Sequence, residues 1–271
     1  MAKVLTDSQH YTDIANAIRE KNGETTQYKP SEMATAIQAI ESGGADFSEV
    51  EYKLSNGYTD YSYMFYGLDQ MTEVPDEILQ NTGSGTNFRY MFYGCSSLTT
   101  IPQLDTSSGT DHIYMFSGCS SLTAIPQLDT SNSTAFSYMF TGCSSLTTIP
   151  QLDTSSGTTF VYMFSGCSKV VTIGGIDLTN AANGSAINSM FNKCTALENI
   201  TINGTIKMTG LSFSPCTLLT HDSLMSIINA FYDYAAEGST VTCKLTLGST
   251  NLAKLTDAEK AIATQKGWTL A

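Results

Sequence analysis

The sequence predicts an α/β solenoid: a stack of short parallel strands and single helical turns, between a helical N-terminal module and an α/β C-terminal cap. Three observations predict it. The phrase Tyr90-Met91-Phe92-Tyr93-Gly94-Cys95-Ser96-Ser97-Leu98 recurs with its Tyr at 114, 138 and 162, each step 24 residues long. Met91, Phe92, Cys95, Leu98, Ile101 and Leu104 begin columns that stay apolar from copy to copy. Outside the regular copies the phrase blurs, as terminal units must when they turn one face to water. A unit this short cannot bury a hydrophobic face alone, so the copies have to pile on one another.

Residues 1–44 form a first module. Thr6 and Gln9 have capping-box spacing, and Tyr11, Ile14, Ala15 and Ile18 share one helical face that ends near Asn22-Gly23. Pro30 suits the first turn of a second helix, whose stripe is Met33, Ala36, Ile37 and Ile40. Two such short helices bury too little to stand alone. They pack on the repeats, on copies of themselves, or on a larger assembly.

Residues 45–217 carry the repeats. A degenerate copy, Tyr63-Met64-Phe65-Tyr66-Gly67-Leu68, precedes the regular ones by 27 residues. Ser189-Met190-Phe191-Asn192-Lys193-Cys194 follows them at the same offset, and Phe213-Ser214-Pro215-Cys216 is a last echo. Within a unit, Leu98-Thr99-Thr100-Ile101 reads as a short strand, stacked in parallel about 4.8 Å from its equivalents. Pro102, Pro126 and Pro150 end these strands, because proline has no N–H to donate. Tyr90 to Gly94 suits a single helical turn, released by Gly94, Gly118, Gly142 and Gly166. The Asp-Thr-Ser step after each strand is turn chemistry.

Residues 218–271 close the chain. Thr220-His221-Asp222-Ser223 opens a helix through Phe231, Val241 to Leu247 is strand-like, and Thr256 with Glu259 caps a last helix stopped by Gly267. The sole Trp, Trp268, and a row of Leu are placed to shut the open end of the core.

The repeats resemble the BspA-like, mycoplasma-lipoprotein type of leucine-rich repeat, which carries the M-F-x-G-C-S-S-L-T wording. The resemblance covers about residues 60–220 and implies a leucine-rich-repeat-like solenoid. I-P-Q-L-D-T-S here replaces the more usual L-D-L-S-N-F-D-T-S, which predicts a shorter strand. The phrases L-T-D-x-x-x-Y-T-D-I-A-N-A-I-R-E-K-N-G and Y-K-P-S-E-M-A-x-A-I resemble the N-terminal module of tail-associated proteins in phages and prophages of Gram-positive bacteria. That resemblance implies a virion-proximal attachment end, with a plain helical cap as the other reading. The ending L-T-L-G-S-T-N-L-A-K-L-T-D-x-E-K-A-I-A-T-x-K-G-W-T-L is similar to that of phage-linked repeat proteins.

Composition narrows the function. Charged residues are 14% of the chain and the formal net charge is −12. Nucleic acid is an unexpected partner, since Lys/Arg patches supply most of that affinity and no basic run exists. Met1 to Asp7 lacks the apolar core of a secretory signal, and no stretch suits a membrane span. If Met1 is the natural start, the protein is made in the host cytoplasm and leaves by lysis or within a particle. Six of seven cysteines (95, 119, 143, 167, 194, 216) share one core column, which predicts reduced, buried packing.

No catalytic pattern is present, and the chain reads as a non-enzyme with no cofactor and no metal. His10, His112 and His221 lie in separate segments with no ligating or nucleophilic spacing. Asp105, Asp129 and Asp153 form a turn column, and one Asp per unit is thin support for a calcium ladder. If the function is binding, specificity belongs where copies differ, in the columns just before the Tyr and three after it. Tyr66, Arg89, Tyr93, Asp111 and His112 are then the ligand-binding candidates, gathered toward the N-terminal end of one face. In the column before that, His112 stands among Phe88, Phe136 and Phe160, so it departs from a core pattern. A face of Thr100, Gln103, Gln127, Thr148 and Gln151 is the rival surface, and either face suits ordinary solvation equally well.

The expectation is a tail-associated, receptor-binding protein in a virion. It attaches to other tail proteins through its N-terminal helices, recognises a bacterial surface glycan or protein, has no membrane role and assembles as a homotrimer. A BspA-like surface adhesin, extracellular or on the cell surface, and a structural spacer or decoration protein are the alternatives.

Overall fold

The computed structural model describes residues 59–74, 79 and 82–271. The expected module at 1–44 lies outside the described residues. Within them, successive units are joined in order by short parallel pairings, a repeat α/β arrangement with few helices.

The main inter-unit ladder runs along the Tyr-Met-Phe-x-Gly phrase. Phe88, Tyr90, Phe92 and Gly94 donate their N–H groups to the carbonyls of Asp111, Ile113, Met115 and Ser117, at 2.8 to 3.0 Å. His112, Tyr114, Phe116 and Gly118 repeat this toward Ala135, Ser137, Met139 and Thr141. The alternate N–H groups close turns within the unit: Met91 to Phe88, Tyr93 to Tyr90, Cys95 to Phe92. The segment is therefore a chain of turns, where a single helical turn was expected. The reason is directional. A helix aims its N–H groups along its own axis, whereas here every second one must reach the neighbouring unit.

That geometry places each Tyr in the left-handed region, with φ of 61° at Tyr63, 59° at Tyr90, 60° at Tyr114, 62° at Tyr138 and 54° at Tyr162. A non-glycine residue held there costs about 1–3 kcal/mol. Ring stacking along the column offsets part of this, at about 0.5–1.5 kcal/mol per pair.

The strand expected at Leu98–Ile101 is not formed in that copy. Thr99 and Thr123 each donate one N–H to the unit before, to Thr72 at 3.0 Å and Thr99 at 3.2 Å. Strands appear later, as β1 (Thr148–Ile149), β2 (Thr172–Ile176) and β3 (Asn199–Ile202), in one parallel sheet of order β1-β2-β3. Proline sets the difference. β1 stops just before Pro150, whereas β2 has Gly174 in that place and runs on to Ile176. In the proline-containing units a side-chain ladder takes over. The Nε2 groups of Gln103, Gln127 and Gln151 donate to the carbonyls of Gln127, Gln151 and Gly175, at 2.8, 2.6 and 2.9 Å.

The interior is built from columns. Phe65, Phe92, Phe116, Phe140, Phe164, Phe191 and Phe213 stack with ring centroids 4.7 to 5.8 Å apart. All seven cysteines are free and buried. The thiols of Cys95, Cys119, Cys143 and Cys167 donate to the carbonyls of Phe65, Phe92, Phe116 and Phe140, each one unit back, at 3.0 to 3.2 Å. Burial pushes the Cys95 and Cys167 thiols up to about 12. Cys119 and Cys143 rise as well, and each lies close enough to a neighbouring thiol to feel its charge.

After the last echo, α1 (His221–Asn229) is capped by the Thr220 hydroxyl, which accepts the Ser223 N–H. β4 (Cys243–Leu245) pairs in parallel with β5 (Trp268–Leu270), joined through α2 (Ser249–Leu252) and α3 (Asp257–Gln265). α3 opens with the expected capping box of Thr256 and Glu259. Trp268 stacks on Phe231 at 4.4 Å, and Asn251 is fully buried. Its Nδ2 donates to the carbonyls of Phe213, Cys216 and Leu247. Among the described residues no helix is long and apolar enough to cross a membrane.

Candidate ligand-recognition surface

The left-handed Tyr positions create the most distinctive surface. Tyr63, Tyr90, Tyr114, Tyr138 and Tyr162 stack in one column, with centroids 4.8, 4.7, 4.3 and 5.2 Å apart. Beside it, Tyr66 and Tyr93 stack at 4.9 Å and meet the first column edge-on, with contacts of 5.6 to 6.2 Å. Tyr63 and Tyr66 are 41% and 40% exposed, in a chain whose other aromatic columns are buried. Burial together with the neighbouring rings of Tyr138 and Tyr90 pushes Tyr114 up to about 12, so it stays a neutral phenol.

Four of the five predicted residues come together here. Tyr66 and Tyr93 form the second column. Arg89 Nη1 lies 3.3 Å from Asp111 Oδ2, and the guanidinium sits 5.3 Å from the Tyr90 ring centre. His112 does not join them. Its ring is fully buried between Phe88 and Phe136, with centroids at 5.4 and 6.3 Å. It occupies the Phe column by shape, so no ligand at this surface reaches it.

The columns expected to be exposed are only partly so: Tyr66 is exposed, and Arg89 and Tyr93 are half-buried. Ser117, Ser137 and Ser165 are buried, because short side chains on the inter-unit ladder are covered by the units on either side. Five contributors were missed: Tyr63, Tyr90, Tyr114, Tyr138 and Tyr162. Their signal was present as a Tyr kept in five copies, but a search confined to positions that differ passes over it.

The rival face is an open trough of about 680 Å³, lined in part by Gln103, Gln127, Gln151, Asp105, Asp129 and Asp153. Its donors are already engaged, since each Gln amide bonds backbone carbonyls. Asp105 and Asp129 each accept the N–H and hydroxyl of the Ser two residues on, which holds both carboxyls below their ordinary range. Among the described residues no three His, Cys, Asp or Glu side chains converge as metal ligands.

No curated protein and no solved structure matches the chain. A family model does, over residues 59–170 and again over 120–208, together more than half of the sequence. The in-register Met-Phe-x-Gly-Cys units and their stacked columns thus belong to a defined family, and the chain is a member of the one described as Mycoplasma protein of unknown function, DUF285.

Proposed function

We propose that this protein is the host-recognising, tail-associated component of a phage or prophage. In this reading the units wind into a solenoid whose Tyr face meets a bacterial surface ligand. Residues 1–44 attach it to other tail proteins, and the protein assembles as a homotrimer in the virion. The observation that carries recognition is the doubly stacked tyrosine surface, exposed at Tyr63 and Tyr66 and half-buried along the rest. Tyr and Arg dominate binding hot spots, and rings already held by stacking lose little freedom when a ligand arrives. The tail-associated setting rests on the wording of the N-terminal segment and of residues 245–270.

Recognition is tested with purified protein and a panel of Gram-positive cells. The full chain is expected to sediment with at least one strain and to slow phage adsorption to it. The double substitution Tyr66→Ser with Tyr93→Ser should weaken that binding at least tenfold. Serine stands in the same column at Ser117 and Ser165, so the change suits the fold. Failure to bind any strain would leave the spacer reading in its place. The wording of the repeats supports a second reading, a BspA-like surface adhesin. Cell-surface labelling of the producing bacterium, with none on phage particles, would select it.

A further inference from the structure

We propose that the ligand of the tyrosine surface is a linear, uncharged, β-linked polysaccharide lying along the stacking direction, one sugar unit to each repeat. The inference rests on the recognition reading above and names the chemistry of its partner.

The first argument is geometric. Five rings at intervals of 4.3 to 5.2 Å form a one-dimensional lattice, and an extended β-linked chain advances by nearly one such interval per pyranose, each sugar turned over relative to the last. A partner with the same advance meets one ring per sugar. A globular protein surface has no such period.

The second argument is what the rings expose. Within the column Tyr90, Tyr114 and Tyr138 have both ring faces covered by their neighbours, so along this stretch the surface presents ring edges and phenolic hydroxyls. Ring edges carry partial positive charge, and a hydroxyl both donates and accepts. Among the described residues, the hydroxyls of Tyr66, Tyr93 and Tyr162 make no hydrogen bond to protein. A cationic ligand needs an open ring face, which stacking denies along the column. An anionic ligand needs a cation, yet Arg89 is held by Asp111 at 3.3 Å and the whole chain carries a net charge of −12. Neutral hydroxyl-rich chains meet neither obstacle. The corner between the two columns, at Tyr66, Tyr90, Tyr93 and Tyr114, gives the chain a step to lie against.

The test is calorimetric titration of the full chain with cello- and chito-oligosaccharides of two, four and six units. For at least one series we expect affinity to rise tenfold or more from dimer to hexamer, as more rungs are engaged. The double variant Tyr66→Ser with Tyr93→Ser should lose tenfold or more toward the hexamer while its thermal unfolding stays close to the parent's. Gln127→Ala, on the trough, should bind as the parent does. Affinity independent of length, no binding by either series, or a loss with Gln127→Ala alone would each overturn the proposal. Cell sedimentation run in parallel separates the two ideas. Cells bound without competition by any oligosaccharide would sink the glycan inference and spare recognition, whereas no cell binding would remove recognition itself.

Discussion

His112 shows how one residue departs from a column and is accommodated. In the units around it, Gly85 and Gly157 lie so close to the Phe88 and Phe160 rings that an added Cβ would meet them at 2.6 and 2.3 Å. Gly109 stands in the same relation to His112, at 2.7 Å. The unit that follows has Ser133 in the glycine place, and its hydroxyl meets His112 Nδ1 at 3.0 Å. The two exceptions answer each other. Nε2 is left buried with no partner, and burial pulls the imidazole down to about 4 from 6.5. The neutral ring is thus favoured in the folded state, while the unfolded chain takes up a proton earlier. Stability is complete above about pH 6.5 and falls as the pH drops toward 4, by about 3 kcal/mol in all. The double variant His112→Phe with Ser133→Gly restores the column's usual pair. Urea midpoints measured from pH 7 to pH 4 should fall less for it than for the parent, and equal slopes would refute this account.

At the level of elements, each inter-unit joint uses whatever donors its sequence leaves free. Where Gly174 stands, β2 extends, and where proline stands, a Gln side-chain amide reaches across. No further copy of the repeat phrase follows the last echo, so carbonyls that would accept from a following copy need other donors. Asn251, in the single short turn of α2, donates through Nδ2 to the carbonyls of Phe213 and Cys216 in that echo. Lys254 adds Nζ bonds to the carbonyls of Thr217 and Leu219, at 2.8 and 2.7 Å. Asn251→Ala removes three buried side-chain hydrogen bonds, leaving the carbonyls of Phe213 and Cys216 with one backbone N–H each, at a cost of about 3 kcal/mol. Chemical denaturation should show that loss, with amide exchange speeding first around Phe213 to Leu219. A uniform change across the chain, or a loss below about 0.5 kcal/mol, would show that the end is closed by other means.

For the whole molecule, the continuous core couples the units. The cysteine column makes this measurable, because its thiols are buried and raised, with Cys95 and Cys167 pushed up to about 12. A thiol-reactive probe at pH 8 should leave the six column cysteines unlabelled in native protein. In rising denaturant they should react together with the loss of structure. Stepwise labelling from one end would instead mean that units melt separately, as quasi-one-dimensional stacks are able to do.

The sequence by itself determined the period, the core columns, the cysteine packing, the caps of α1 and α3 and the blurred ends, because each is a matter of spacing and residue type. Copies 24 residues apart can hide their apolar faces in one way only, by stacking. Tertiary structure alone decided the backbone path of the Tyr phrase, the number of units that form true strands and the surface that carries the aromatic ladder. Each of these depends on the unit above and the unit below. The left-handed φ at Tyr90 is set by an N–H that must reach Ile113, and the Gln ladder forms because a neighbouring carbonyl lies within reach. His112 reads as a surface exception in one dimension and as a buried ring in three, since only stacking places it between Phe88 and Phe136.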